Sequence, residues 1–404
     1  MSAANPSRMP FRDRMAREAS SRDAKSLRHV HRVGVAPTQP VQGYLDPDGP
    51  ELERSVLMFG SNSYLGLNTH PYVVDRVRES VAAHGVGSGG SPYFSGYTQR
   101  HQDLERRLAA LSGHDDAVLV PSGYVANLCW LTAVMRRDDV LLYDKYSHAS
   151  ALDAMRMAEG TFIRFDPEDL DAFRTLVQDQ RQRLAPRAQI FATFEGVRSI
   201  DGTVVDLEGV VGVCGELGVF SVLDDAHSLG VLGKQGRGTI EYFGGQAVPD
   251  MRVATCSKAI GAQGAFVAGP ADVVGYLRSN ATPYLFTTAM SHPTLAAIDA
   301  ALDLLDEPTD RLHSLHTNRS LLADGLRRKG IEVGDSVTGI LPVHVRQEDM
   351  ASLSRRLFGA GLFVNVVEYP MIGRRDKSYL RFSVMGTHKE FHITSAIDIL
   401  ISNI

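Results

Sequence analysis

The sequence predicts an α/β fold, with a large domain built on a mostly parallel seven-stranded sheet and a smaller α+β domain at the C-terminus. Three observations lead there. From about residue 56, short apolar runs alternate with helical patterns, as in strands joined by crossover helices. Around 283–293, Pro283 and Pro293 bracket an irregular stretch, and a long helical pattern follows from Thr294 to Leu305. The length of 404 residues, with 44% apolar and 22% charged side chains, suits a soluble globular protein of two or three domains.

In order, residues 1–55 read as a basic, helical N-terminal arm. Residues 56–290 read as the large domain, with strands at 117–121, 139–143, 162–165, 189–194, 219–223, 251–255 and 265–268. Residues 291–404 read as the small domain, with helices near 309–329 and 349–361 and strands near 341–345 and 379–384. No internal repeat or low-complexity segment interrupts this order.

The net charge of −5 is unevenly spread. Residues 1–32 hold eight basic side chains (Arg8, Arg12, Arg14, Arg17, Arg22, Lys25, Arg28 and Arg32) against Asp13, Glu18 and Asp23. Such a leader reads as an amphipathic helix packed on the body, or as a docking element for an acidic partner; three acids argue against a transit peptide. Cys129, Cys214 and Cys256 are far apart with no C-x-x-C pair, so neither a disulfide framework nor a metal site is expected, and a cytoplasmic location fits. No run of about 18 apolar residues is present, so no membrane span is expected, and nothing in the composition calls for a nucleic-acid partner.

Residues 85–90, Gly-Val-Gly-Ser-Gly-Gly, satisfy G-x-G-x-x-G. That pattern signals dinucleotide binding only between a strand and a helix. Here a helical pattern, 70–84, precedes it. The run instead suits backbone passing close to a ligand or a second subunit.

The chemistry-bearing signal is an ordered pair of tetrads, Asp224-Asp225-Ala226-His227 and Thr255-Cys256-Ser257-Lys258, each ending an apolar strand. In an open α/β sheet both would face one crevice beyond the strands' carboxyl ends. Chemistry at an amino acid's α-carbon needs an electron sink, which pyridoxal 5′-phosphate (PLP) supplies when a carboxylate keeps its ring nitrogen protonated. Asp224 is the candidate carboxylate, and Asp225 is expected to matter much less. Lys258 is the candidate for covalent attachment and then, with a lowered pKa, for general base. Phosphate would be held at a helix start by Ser122 and the Gly123 and Tyr124 amides, with Thr255 and Ser257 adding hydroxyls.

With these residues in place, the chain resembles the α-oxoamine synthases of the fold-type I PLP enzymes, a family that includes 8-amino-7-oxononanoate synthase, 2-amino-3-ketobutyrate ligase, 5-aminolevulinate synthase and serine palmitoyltransferase. The resemblance runs in order from about Phe59 to His388. It rests on the run Gly60 to Leu67, Ser95-Gly96-Tyr97, Ser147 to Ser150, Glu195 to Gly202, Asp224 to Gly230, Gly236 to Gly238, Thr255 to Gly261, Pro283 to Phe286 and Leu380 to Ser383. It implies that His148 stacks on the cofactor ring, and that His227 and Ser199 approach its phenolic oxygen. It implies that Asn62 and Arg381 hold the substrate carboxylate. It also implies that Thr287 and Thr288 reach the phosphate of a neighbouring subunit, which means a homodimer with shared active sites.

The activity implied is decarboxylative condensation of a small amino acid (alanine, glycine or serine) with an acyl thioester, on coenzyme A or an acyl carrier protein, giving an α-amino ketone. Ser95-Gly96-Tyr97 with His101 is most similar to the oxononanoate synthases, which favours alanine or glycine. A serine palmitoyltransferase-like or secondary-metabolite synthase remains open, as does an aminotransferase or aldolase on the same fold. Three features depart from the family pattern: Arg198, where an aromatic is usual; the run Tyr369 to Ile372; and the charged run Arg374 to Lys377. All fall near the expected acyl entrance.

Overall fold

A computed structural model describes residues 11–24, 32–46, 49–306, 310–345, 349–368 and 378–404; for 21–24, 46 and 49–53 only the backbone course is described. The runs Tyr369 to Ile372 and Arg374 to Lys377 lie outside the described residues, as do Arg8, Lys25 and Arg28 of the basic leader.

Only part of the N-terminal arm is helical. Phe11–Ala24 forms a helix, but β1 (Val41–Asp46) and β2 (Gly49–Met58) form an antiparallel hairpin. The side chains of residues 11–20 are exposed, so along this stretch the helix buries no apolar face against the body, unlike the expected packed helix. Its residues are too polar to provide an apolar stripe.

The large sheet contains β3 (Asp116–Val120), β4 (Val140–Asp144), β5 (Thr161–Phe165), β6 (Ile190–Glu195), β7 (Phe220–Asp224), β8 (Met251–Thr255) and β9 (Ala265–Gly269). Each expected strand is present within about a residue of its reading. Their order is β3-β9-β8-β7-β6-β4-β5, and β9 alone runs antiparallel to its neighbours. Both faces are covered by helices, so the strands read as continuous apolar runs rather than alternating ones; β6, β8 and β9 are buried at every position. The chain order reverses beside β6, where β7 and β4 flank it, and the site opens beyond the strand ends there.

The C-terminal part carries an antiparallel sheet of β10 (Glu332–Val333), β11 (Ile340–His344), β13 (Asn365–Val367) and β14 (Tyr379–Ser383), in the order β10-β11-β14-β13. Helices Asp310–Arg328, Met350–Gly359 and Glu390–Ile401 accompany it. The hairpin is tied to this region, since β12 (Leu362–Phe363) pairs in parallel with β2. One apolar cluster runs from Phe59, Leu65 and Leu67 through Ile260 and Leu302 to Leu315, Phe382 and Leu400. Among the described residues, no helix is long and apolar enough to cross a membrane.

The glycine run follows helix Pro71–His84, not a strand, and of its glycines only Gly90 is closely packed; Gly85, Gly87 and Gly89 have open space where a Cβ would stand. A Cβ on Gly96 would lie 2.1 Å from the Gly90 carbonyl oxygen, so only glycine allows these two backbones to meet.

Candidate active site

The carboxyl ends of β6, β7 and β8 and the start of helix Gly123–Val134 enclose a cavity of about 210 Å³. Ten of the fourteen expected site residues line it: Ser122, Gly123, Tyr124, His148, Ser199, Asp224, His227, Thr255, Ser257 and Lys258. Asn127, Ser150 and Glu195 also line it; sequence reasoning had given none of them a role.

At one end, the Ser122 side chain caps the helix by accepting from the Val125 amide at 3.3 Å. The amides of Gly123 and Tyr124 belong to the first turn, where no intrahelical acceptor exists. Thr255 Oγ1 and Ser257 Oγ lie 2.8 Å apart beside them, and a Cβ on Gly123 would come within 3.4 Å of Thr255. These donors suit a phosphate. The Tyr124 ring is half exposed, and its hydroxyl bonds Asp153.

Along the wall, the Asp224 carboxylate is fixed by two donors, the Ala226 amide at 3.2 Å and Asn127 Nδ2 at 3.1 Å. Asn127 Nδ2 also donates to Ser150 Oγ at 3.0 Å, while its Oδ1 accepts from Trp130 Nε1 at 3.2 Å, which fixes the amide's orientation. The Ser150 amide donates to His148 Nδ1 at 3.2 Å, so that nitrogen is an acceptor and the neutral ring carries its proton on Nε2. Burial, with a smaller contribution from Lys258, holds the His148 pKa below its usual value against the pull of Asp224.

Lys258 is pushed down to about 8, first by desolvation and then by Arg381, while Asp224 and Glu195 act in the opposite direction. Glu195, the cross-strand partner of Asp224, is pushed up to about 8 by burial and by that neighbouring carboxylate. Its Oε2 accepts from the Ser199 amide at 3.0 Å. A lysine that sheds its proton near neutral pH in an enclosed site can attack a carbonyl and move a proton.

Asn62 and Arg381 lie together beside this cavity but do not line it. Arg381 Nη2 donates to Asn62 Oδ1 at 3.1 Å, and its Nε donates to the Ser199 carbonyl at 2.6 Å. Tyr64 joins them to His227, with Oη 2.9 Å from His227 Nδ1. Thr287 and Thr288 sit elsewhere, in a separate pocket with Tyr97, His101 and Met290. Their own chain therefore does not bring them to the cavity.

Asp225, expected to matter much less than Asp224 for turnover, has a structural role that expectation did not include. Its side chain is fully buried against Arg252, with Thr239 Oγ1 donating at 2.5 Å, so it holds the fold rather than idling beside Asp224. Arg198, one of the departures from the family pattern, is also occupied. Its guanidinium lies over the Tyr146 ring at 4.1 Å and pairs with Glu168 at 3.0 Å.

The model of the family described as aminotransferase class I and II matches residues 54–400. The chain belongs to that family. A serine palmitoyltransferase from Sphingobacterium spiritivorum is 31% identical over 90% of each chain. An 8-amino-7-oxononanoate synthase from Geobacter sulfurreducens is 34% identical over 85% of this chain and 88% of its own. The solved serine palmitoyltransferase of Sphingomonas wittichii superposes with a TM-score of 0.85 at 26% identity, covering 98% of both chains. Within the family the chain is thus an α-oxoamine synthase, an acyl-transferring enzyme of fold-type I.

Serine palmitoyltransferase structures of this fold have been solved with PLP, and PLP is the cofactor of this α-oxoamine synthase. The cavity fits it by its own chemistry. A cluster of phosphate donors, a fixed carboxylate and a lysine with a depressed pKa converge on one cavity.

Proposed function

We propose that this synthase condenses a small α-amino acid, alanine or glycine before serine, with an acyl thioester, releasing carbon dioxide and free thiol and leaving an α-amino ketone. The observation that carries this reading is Lys258, lining one cavity with Asp224 and His148 and adjoining the Asn62–Arg381 pair. PLP, when bound, supplies the electron sink for charge at the α-carbon.

Lys258 Nζ would hold the cofactor, and its pKa of about 8 would suit it to take up the α-proton. Asp224, steadied by Asn127, holds a proton on the ring nitrogen. His148 would cover the ring, and His227 and Ser199 would serve its phenolic oxygen. Ser122, Gly123, Tyr124, Thr255 and Ser257 hold the phosphate. Arg381 and Asn62 orient the carboxylate by the planar fork of the guanidinium. Glu195, when ionised, favours the ammonium form of Lys258.

The active unit is a homodimer in which Thr287 and Thr288 serve the partner's phosphate. Exposed Val86, Tyr93, Phe94 and Phe286 beside them support this, since a patch of such rings suits burial against a second chain. We read the chain as an arm to residue 55, a large domain 56–290 and a small domain 291–404, with the sheet β3 to β9 wholly inside the second part. Buried, free Cys129, Cys214 and Cys256 support a reducing compartment, the cytoplasm.

The reading is tested by incubating the holoenzyme with alanine, glycine or serine and a panel of acyl-coenzyme A and acyl carrier protein thioesters. Release of thiol and carbon dioxide in equal amounts is expected. Amino transfer to a keto acid without thiol release would replace condensation by an aminotransferase activity.

A further inference from the structure

We propose that Tyr64 is a positioning residue that couples the Asn62–Arg381 pair to His227, its single hydroxyl proton deciding which imidazole nitrogen is protonated. The proposal rests on the reading of Asn62 and Arg381 as the carboxylate site.

Tyr64 is almost completely buried, and its hydroxyl meets three groups. His227 Nδ1 is 2.9 Å away, Asn62 Oδ1 is 3.2 Å away, and Arg381 Nη2 is 3.4 Å away. Arginine only donates and the amide oxygen only accepts, so the one phenolic proton has two destinations, Asn62 Oδ1 or His227 Nδ1. His227 is held neutral by burial and by the positive neighbours Lys258 and Arg381; the acids Asp224 and Glu195 line the same cavity. A neutral imidazole has one donor and one acceptor nitrogen. If Tyr64 donates to Nδ1, the proton of His227 is on Nε2. If Tyr64 donates elsewhere, His227 must donate from Nδ1 to the phenolic oxygen, and Nε2 becomes an acceptor.

Without substrate, Asn62 Oδ1 accepts from Arg381 Nη2 at 3.1 Å and lies 3.2 Å from Tyr64 Oη, whereas His227 Nδ1 is nearer at 2.9 Å, so the Tyr64 proton goes to His227. A carboxylate seated on Arg381 and Asn62 brings anionic oxygens that compete for the Tyr64 proton, because charged acceptors form the stronger bond. Substrate binding therefore moves the His227 proton from Nε2 to Nδ1. The state of His227 thus reports whether a carboxylate is in place.

The test uses holoenzyme labelled with ¹⁵N-histidine and propionate as the probe, a carboxylate with no amino group to react. The His227 ring signals are identified by their absence in His227→Gln. Saturating propionate is expected to shift the wild-type proton from Nε2 to Nδ1. Tyr64→Phe should lose that change while still binding propionate to within about tenfold, a modest hydrogen-bond loss. A wild-type His227 that keeps its tautomer at saturation overturns the proposal, and so does an unchanged switch in Tyr64→Phe. Propionate binding is measured separately in Arg381→Met. Undiminished affinity there would remove the carboxylate assignment itself, whereas Arg381-dependent binding without the switch removes only the coupling.

Discussion

Arg252 Nη2 lies 2.5 Å from Asp225 Oδ2, and both side chains are completely shielded from solvent. Removing one member of such a pair leaves an uncompensated buried charge. Asp225→Ala is expected to lower stability by about 3–5 kcal/mol in urea titration, and Arg252→Met in the same background to recover part of the loss. A loss smaller than about 1 kcal/mol would remove the structural role assigned to Asp225.

Asp224 is the opposite case. Fixed by Asn127 and the Ala226 amide at the cavity wall, it should tolerate Asp224→Asn with its fold intact while turnover falls by roughly 10³ or more. Near-normal turnover would refute its role at the ring nitrogen. Asn127→Ala, which frees the carboxylate without removing it, should give a smaller loss.

The Lys258 amine should react with aldehydes, measured on cofactor-free protein, with a midpoint near pH 8. Glu195→Gln removes a group that favours the ammonium form and should lower the midpoint; Arg381→Met should raise it. A midpoint near the ordinary 10.5 would contradict the enclosed site. The same depression has a stability consequence. Between about 8 and 10.5 the unfolded chain binds more protons at this lysine, so cofactor-free wild type should gain stability over Lys258→Met as pH rises through that window.

Phe94→Asp and Phe286→Asp place charges on the exposed aromatic patch. Sedimentation is expected to show monomers with little activity, since Thr287 and Thr288 would no longer reach a partner's site. A fully active monomer would contradict shared active sites.

The large sheet was legible because burial on both faces leaves an unbroken apolar run at every strand, and the two tetrads were legible because each ends such a run. The hairpin β1–β2 was not, because Gly43 and Pro50 break its pattern and its parallel partner, β12, lies some three hundred residues away in sequence. The structural role of Asp225 was not legible because a buried pair with Arg252 leaves no local trace; an arginine within a strand reads only as an interruption. Asn127 sits one turn beyond Gly123 on the phosphate helix, a helical spacing that could have shown it facing the same cavity. Tyr64 and Glu195 stood inside quoted motifs, but their contacts join distant strands and loops.

For the N-terminal helix, whose side chains at 11–20 are exposed, deletion of residues 1–22 should change turnover alike with acyl-coenzyme A and acyl carrier protein. A selective loss with the carrier protein that fades in high salt would instead assign the basic leader to docking.

The central claim is that Lys258 carries the cofactor. Holoenzyme is reduced with borohydride, digested, and the cofactor-bearing peptide mapped by mass spectrometry, with Lys258→Ala treated in parallel. The account predicts a single modified lysine, Lys258, together with loss of the absorbance near ~420 nm expected of a lysine-bound cofactor and no trapped cofactor in the variant. Cofactor covalently trapped on another lysine, or retained in Lys258→Ala, would contradict it.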